Sequence, residues 1–351
     1  GGQCGRLGGY DGRGGIIARL IRRVVRGGVI ARLIRRIVRA GWLPDRIVSH
    51  HVRRYPTPMN GAGRISHLAA FSSIGPFPPR LDRTPAADPY RDGMKVGITG
   101  SSGLIGTALC AHLTDGGHTV SPIVRRRPTT DSTEIAWDPS AGTVDAESHS
   151  SLDAIVHLAG AGIGDHRWTD EYKRVLLDSR VAGTTLLADT LADLGVDGPQ
   201  VLISGSAIGI YGDRGDDRVD EQSDSGDGFL ADICRAWEAG TGAAAEAGVR
   251  VAHLRTGIVL SREGGALKKM LPLFKLGLGG RFGNGRQWMS WISIDDQIRA
   301  IEHLLTSSVE GAVNLTAPTP VRNADFAKTL AEALGRPSFV PVPAFGPKLL
   351  L

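Results

Sequence analysis

Only three cysteines occur in 351 residues, Cys4, Cys110 and Cys234, and none stands at a metal-binding spacing from another. That scarcity excludes a disulfide framework and a thiolate metal knuckle, and makes a reducing, cytoplasmic setting the expectation. No apolar run reaches the ~20 residues that a membrane-spanning helix needs. No charged-then-apolar stretch with a small-residue cleavage site marks a secretory signal. Lysine is missing from residues 1–93, which hold 17 arginines against 5 acids. Residues 94–351 hold 24 basic and 31 acidic residues. The net charge of +5 thus belongs to the leader, and the acidic body offers no electrostatic footprint for nucleic acid.

The leader contains a tandem repeat, GGIIARLIRRVVR (14–26) followed by GGVIARLIRRIVR (27–39). In the first copy Ile16, Ile17, Leu20, Ile21, Val24 and Val25 share one helical face, with Arg19, Arg22, Arg23 and Arg26 opposite. One reading is a basic amphipathic helix lying on an anionic membrane or along nucleic acid. The other is upstream DNA translated in frame. Arginine without lysine, abundant glycine and the proline-rich YPTPMNG and GPFPPRLDRTPAADP suit the second, with Met94 as the expected native start. The chain opens at Gly1 and stops in mid-pattern at PAFGPKLLL, as a fragment would.

The segment after Met94 is better defined. GITGSSGLIG (97–106) carries glycines at the spacing GxxGxxG. Before it, MKVGIT is a short apolar strand. After it, Leu104, Ile105, Ala108, Leu109 and Leu113 form a helical stripe that Gly116 and Gly117 stop, and HTVSPIVRR reads as a second strand. Strand, glycine turn, helix and strand make the βαβ context of a dinucleotide site. Gly100 would permit the tight turn, Gly103 the approach of a pyrophosphate, and Gly106 close packing of helix on strand. Ser101, Leu104 and Ile105 complete the loop and the first helical turn, whose free amides and positive dipole end suit phosphate.

The end of the second strand chooses the cofactor. An acid there would hold the 2′-hydroxyl of NAD; this chain has Arg125, Arg126 and Arg127, with no acid before Asp131. Guanidinium groups suit a 2′-phosphate, so NADP(H) is expected over NAD(H). Pro122 is out of character in an interior strand.

The alternation continues with a strand in LDAIVHLAGAG (152–162), whose Leu158, Ala159 and Gly160 suit close approach by the cofactor. A helix over 170–194, a strand over 200–212, a helix over 228–248 and a strand over 249–260 come next. The expectation is an α/β fold, a doubly wound Rossmann-type parallel sheet over 94–260, with its ligand crevice at the carboxyl ends of the strands. After residue 260 the pattern changes: GGALKKMLPLFKLGLGGRFGNGRQWMSWISIDD (264–296) reads as mostly loop, and Asn323 is placed to cap a last helix that Gly335 ends. Residues 261–351 are therefore expected to form a smaller, substrate-facing C-terminal lobe.

Together these segments resemble the extended short-chain dehydrogenase/reductases of the NAD-dependent epimerase/dehydratase type, and more narrowly an atypical, epimerase-like subfamily sometimes labelled cell-division inhibitor. The resemblance rests on GITGSSGLIG, HLAGAGIGDHRWT, SRVAGTTLL, SGSAIGIYGDRG, GFLADICRAWE, LRTGIVLSREGGALKKMLPLFKLGLGG, GNGRQWMSWISIDD and NLTAPTPVRNADFAKTLAEALGRP. It covers 94–351, leaves 1–93 unmatched, and implies a small C-terminal domain that continues past PVPAF. Ser293 departs from a histidine common in the family.

The resemblance implies a serine, a tyrosine and a lysine as acid/base machinery, the last two four residues apart on one helix face. None of the five tyrosines, Tyr10, Tyr55, Tyr90, Tyr172 and Tyr211, has a lysine four residues on. Where the family places that pair, this chain has Leu230 and Cys234. Ser206 matches the family's active-site serine; Tyr211 is a candidate substitute acid, but with no lysine nearby in sequence packing beneath the loop is its favoured role. Ser204 and Arg255 are expected beside the cofactor. Arg167, Trp168, Ser179, Arg180, Arg286, Gln287, Trp288 and Trp291 lie on segments expected to reach a substrate, where arginine would suit an anion and tryptophan a planar or sugar-like ring. For each, ion pairing or core packing is the competing role. Asp295 and Asp296 are expected at a helix start, and His157 as a satisfied strand histidine. Aspartate and histidine show no metal spacing.

Two classes of function are consistent with these residues. The first is an NADP(H)-dependent oxidoreductase or epimerase-like enzyme acting on a small polar carbonyl, hydroxyl or sugar-nucleotide compound, with a homodimer as the expected assembly. The second is a non-catalytic NADPH-binding sensor or regulatory module, which the missing tyrosine–lysine pair favours.

Overall fold

A computed structural model describes residues 93–126, 128 and 132–338. The expectations for 1–92, Arg127, Asp131 and 339–351 lie outside the described residues.

The core is an eight-stranded sheet in the order β11-β7-β6-β5-β1-β2-β3-β4. Its strands are β1 (Lys95–Thr99), β2 (Thr119–Val124), β3 (Ile135–Asp138), β4 (Thr143–Val144), β5 (Ala154–His157), β6 (Val201–Ala207), β7 (Arg250–Thr256) and β11 (Gly311–Leu315). All neighbours pair in parallel except β3 and β4. Strand order reverses at β1, since β2 lies on one side of it and β5 on the other. This is the switch point at which a doubly wound sheet opens a crevice. Pro122 is tolerated because β3 pairs with β2 only from Ile123 onward.

Period-two alternation gives the sheet two apolar faces. Val96, Ile98, Val156 and Ile203 pack with Leu109 and Leu113 of α1 (Leu104–Asp115) and with Ile301, Leu304 and Leu305 of α7 (Ile294–Thr306). On the other face Ile155, Leu202 and Val251 meet Leu187, Ala188 and Leu191 of α3 (Asp170–Leu194). The short α2 (Ala146–Ser150) precedes β5. Burial on both faces accounts for the continuous apolar runs of the central strands.

Four elements differ from the sequence reading. The strand expected over 200–212 ends at Ala207, and a single 3-10 turn over Ile208–Tyr211 follows it. The helix expected over 228–248 breaks into α4 (Phe229–Ala239) and α5 (Gly242–Glu246), where the Thr241 hydroxyl donates to the Glu238 carbonyl at 2.8 Å. The strand expected over 249–260 stops at Gly257, where a Cβ would lie 2.5 Å from the Ser290 carbonyl oxygen. Beyond that contact β8 (Ile258–Leu260) leaves the main sheet and pairs with β10 (Trp291–Ser293). The supposed loop after 260 contains α6 (Gly265–Lys275), which buries Leu267, Leu271 and Phe274 despite Pro272.

Within 261–338, the described part of the expected C-terminal lobe, the chain rejoins the main sheet. After α6 and β10, helix α7 returns to the sheet face and β11 extends its edge beside β7. The remaining ladder joins β9 (Trp288–Met289) to β12 (Val321–Arg322). Asn323 does not cap the last helix, α8 (Asn323–Leu334); Arg322 holds that position without a side-chain bond. The Asn323 side chain instead accepts from the Phe282 amide at 2.7 Å. Ser293 caps α7, accepting from the Asp296 amide at 3.0 Å, and Asp295 and Asp296 fill its first turn. Among the described residues no helix is long and apolar enough to cross a membrane.

Candidate functional site

The glycine loop joins β1 to α1 at the switch point. Gly100 has φ +66°, and a Cβ there would lie 2.8 Å from the Leu158 carbonyl carbon. A Cβ on Gly106 would lie 2.2 Å from the Gly100 oxygen, so only glycine lets the first turn of α1 sit against the loop. Gly103 is the N-cap, with no side-chain cap bond and no acid in the first turn. The N-terminal amides of α1 and their dipole therefore face an anion site that no side chain fills. A cavity of about 380 Å³ opens there, walled by Gly100, Gly103, Leu104, Ile105 and Gly106 with Leu158 opposite. The shape and free amides of this loop fit a dinucleotide phosphate. Ser101 is partly exposed at the loop, its carbonyl accepting from the Thr107 hydroxyl at 3.2 Å.

A buried threonine fixes the opposite wall. The Thr99 hydroxyl accepts from the amides of Leu158 at 3.0 Å and Ala159 at 3.2 Å. Both of its lone pairs are taken, so its proton goes to His157 Nδ1 at 2.7 Å. His157 is consequently the neutral tautomer with its proton on Nε2. Burial alone pushes its pKa down to about 4. Gly160 lies against Arg180, and Ser179 accepts from the Ala161 amide at 3.0 Å, so both α3 residues hold the loop after β5.

At the end of β2, Arg125 is exposed and Arg126 pairs with Glu134. Sequence order placed the nearest acid at Asp131. The turn before β3 brings Glu134 back to the arginines, which spacing along the chain does not show.

The far end of the cavity is lined by Gly205, Ser206, Trp237 and Thr256. The Ser206 hydroxyl donates to Glu238 Oε1 at 2.6 Å. Arg255 grips the same carboxylate, through Nε to Oε1 and a terminal nitrogen to Oε2, each at 2.9 Å. Its other terminal nitrogen donates to the Tyr211 hydroxyl at 3.0 Å, and that hydroxyl donates to Asn314 Oδ1 at 2.7 Å. Burial tends to raise the Glu238 carboxyl, but the bonds from Arg255 and Ser206 hold it below the usual carboxylate range. The same carboxylate raises the Arg255 pKa.

Several expected site residues have other work. Arg255 is buried in this ion pair and does not line the cavity. Tyr211 is buried with its hydroxyl committed at both ends, so it is no substitute acid. Ser204 lies two residues back from Ser206 in the sheet interior, fully buried. Trp291 is core. Trp288 is exposed, donates to Asp216 at 3.0 Å and carries Arg322 on its ring, whose guanidinium carbon lies 3.7 Å from the centroid. Arg286 and Gln287 are exposed beside it. Arg167 is exposed, and Trp168 packs edge-on to Phe229 while donating to the Ile163 carbonyl at 2.8 Å. None of these lines the cavity.

Arg180 does come close. Its guanidinium lies 5.0 Å from the Trp237 ring centroid and donates to the Leu176 carbonyl at 3.0 Å. Among the described residues no carboxylate pairs with it, and desolvation lowers its pKa. Thr99, Gly205, Trp237, Glu238 and Thr256 are site residues that the sequence reading does not single out, and for Glu238 a signal existed. The spacing 230, 234, 238 was a usable signal, since four-residue steps put Glu238 on the face that carries Leu230 and Cys234. Burial raises the Cys234 thiol, so it stays protonated.

The sequence profile of the NAD dependent epimerase/dehydratase family matches residues 96–316. The chain belongs to this family. An epimerase family protein of Mycobacterium bovis is 46% identical over 250 residues, which is 71% of this chain and 82% of that relative. The structure of human epimerase family protein SDR39U1, determined with NADPH, is 34% identical, with a TM-score of 0.65 over 73% of this chain and 88% of that one. A nucleoside-diphosphate sugar epimerase from Corynebacterium glutamicum is 41% identical with a TM-score of 0.60; the match covers 71% of this chain but about half, 53%, of that one. In this epimerase/dehydratase-family chain the glycine loop, the Thr99-held wall and Ser206 surround one cavity.

Proposed function

We propose that this protein is an NADP(H)-dependent oxidoreductase or epimerase-like enzyme acting on a small polar hydroxyl or carbonyl compound. The observation that carries the reading is the Ser206 hydroxyl at one end of a cavity whose other end is the glycine loop. The nicotinamide, once bound, would supply hydride chemistry; the chain supplies binding, orientation and electrostatics. Gly100, Gly103 and Gly106 admit the pyrophosphate, and Arg125 offers an exposed cation for the 2′-phosphate. Ser206 orients the substrate oxygen, and Arg180, desolvated and without a carboxylate partner among the described residues, favours a substrate with an anionic group. The NADPH bound to the human relative supports the same cofactor choice.

Titration with NADPH and NADH tests this reading. NADPH is expected to bind the tighter, and Arg125→Ala to weaken NADPH about tenfold while leaving NADH unchanged. Ser206→Ala should lower turnover against a panel of hydroxyl and carbonyl compounds without altering NADPH affinity. Equal affinity for the two cofactors would refute the 2′-phosphate assignment. Leu230 and Cys234 supply neither a phenol nor an ammonium, which favours the second reading, an NADPH-binding sensor. Tight NADPH binding without turnover across the panel would establish that reading instead.

A further inference from the structure

We propose that the cavity selects a ligand presenting a hydroxyl group, not a carbonyl, to Ser206, because Glu238 fixes the direction of that serine's hydrogen bond. The inference rests on the cavity being the substrate site.

A serine hydroxyl has one proton and two lone pairs. The Ser206 proton points to Glu238 Oε1 at 2.6 Å, a length typical of a charge-assisted O–H···O⁻ bond. Glu238 cannot return a proton. Arg255 donates to both of its oxygens at 2.9 Å, and the carboxyl is ionised at neutral pH. Arg255 cannot turn away either, because its remaining terminal nitrogen is tied to the Tyr211 hydroxyl, itself tied to Asn314. Cys234 lies within hydrogen-bond reach of Ser206, and as a thiol kept protonated by burial it donates to the serine oxygen, which leaves the serine's proton on Glu238. Ser206 is thus a fixed acceptor, and only a lone pair is left for the cavity.

A ligand hydroxyl donates to such an oxygen without disturbing it. A ligand carbonyl meets lone pair with lone pair, or forces Ser206 to give up its bond to a carboxylate. Surrendering a hydrogen bond to a charged group corresponds to roughly a tenfold to hundredfold loss of affinity. The network therefore discriminates between an alcohol and the ketone of the same skeleton.

Cyclohexanol and cyclohexanone are a matched pair for the test. Their affinities are measured by calorimetric titration of the full chain, saturated with a ring-hydrogenated, hydride-inert analogue of NADPH so that neither probe reacts. Cyclohexanol is expected to bind at least tenfold more tightly, and Ser206→Ala to bring the two within about twofold. Equal or tighter binding of the ketone overturns the inference. So does undetectable binding of both probes, or a preference that survives in Ser206→Ala. If the cofactor analogue itself fails to bind a chain that circular dichroism shows to be folded, the reading of the whole cavity falls, and the inference falls with it.

Discussion

Arg255 holds Glu238 by two hydrogen bonds of 2.9 Å each, with side-chain exposures of only 11% and 14%. The pair joins β7 to α4 directly beneath Ser206. Removing one partner strands a buried charge, so Glu238→Ala is expected to cost about 3–5 kcal/mol of folding stability in denaturant titration. The double variant Glu238→Leu with Arg255→Met, apolar and similar in volume, should recover most of that loss. The carboxyl is depressed in the fold, so its contribution is complete above the ordinary value of 4.5 and is lost as pH falls through the lower folded value. A double variant no more stable than Glu238→Ala would show that packing, and not the stranded charge, sets the cost.

Gly106 offers a sharper test of the glycine loop, because it lies inside a helix, where alanine is intrinsically favoured. A Cβ at this position would meet the Gly100 oxygen at 2.2 Å and the Ser101 Cα at 2.7 Å, both backbone atoms that cannot swing aside. Gly106→Ala should therefore separate loop from helix and lower affinity for NADPH at least tenfold, read by fluorescence titration. Helix content should be retained. Unchanged affinity would mean that the loop does not hold the pyrophosphate.

The fold was largely legible because its determinants are local. Val96, Ile98 and the stripe from Leu104 to Leu113 declare a strand and a helix by periodicity, and the glycine spacing lies between them. The boundaries of the 170–194 helix are legible in the sequence, and the structure adds Thr169 as its cap. Misreadings occurred where distant segments decide. Gly257 ends β7 because Ser290 crosses it, and β11 returns to β7 from far along the chain. The same holds in the site. Ser206 and the loop are marked by local sequence. The partners that fix their chemistry, Glu238 for Ser206 and Glu134 for Arg126, arrive through tertiary packing. Arg255 and Tyr211 looked functional for their residue type, yet their polar atoms are spent on each other and on Glu238.

His157 gives the fold a pH dependence that can be isolated. Its ring is fully buried and T-shaped to Trp137, and its pKa falls from 6.5 to about 4. Between those values the unfolded chain takes up a proton that the folded chain refuses, so stability rises with pH across that window and is lost as pH falls. The full effect is about 3 kcal/mol. In His157→Asn an amide oxygen can still accept the Thr99 proton that Nδ1 accepted, but nothing titrates there. The variant should lose most of that slope between pH 6.5 and 4 while keeping the wall at Leu158 and Ala159. His149 and His253, also depressed by burial, leave a residual slope in the variant. Denaturant unfolding at a series of pH values measures the difference. An unchanged slope would mean that His157 opens to solvent and takes its proton in the folded protein, and then the Thr99 hydroxyl could not hold both amides.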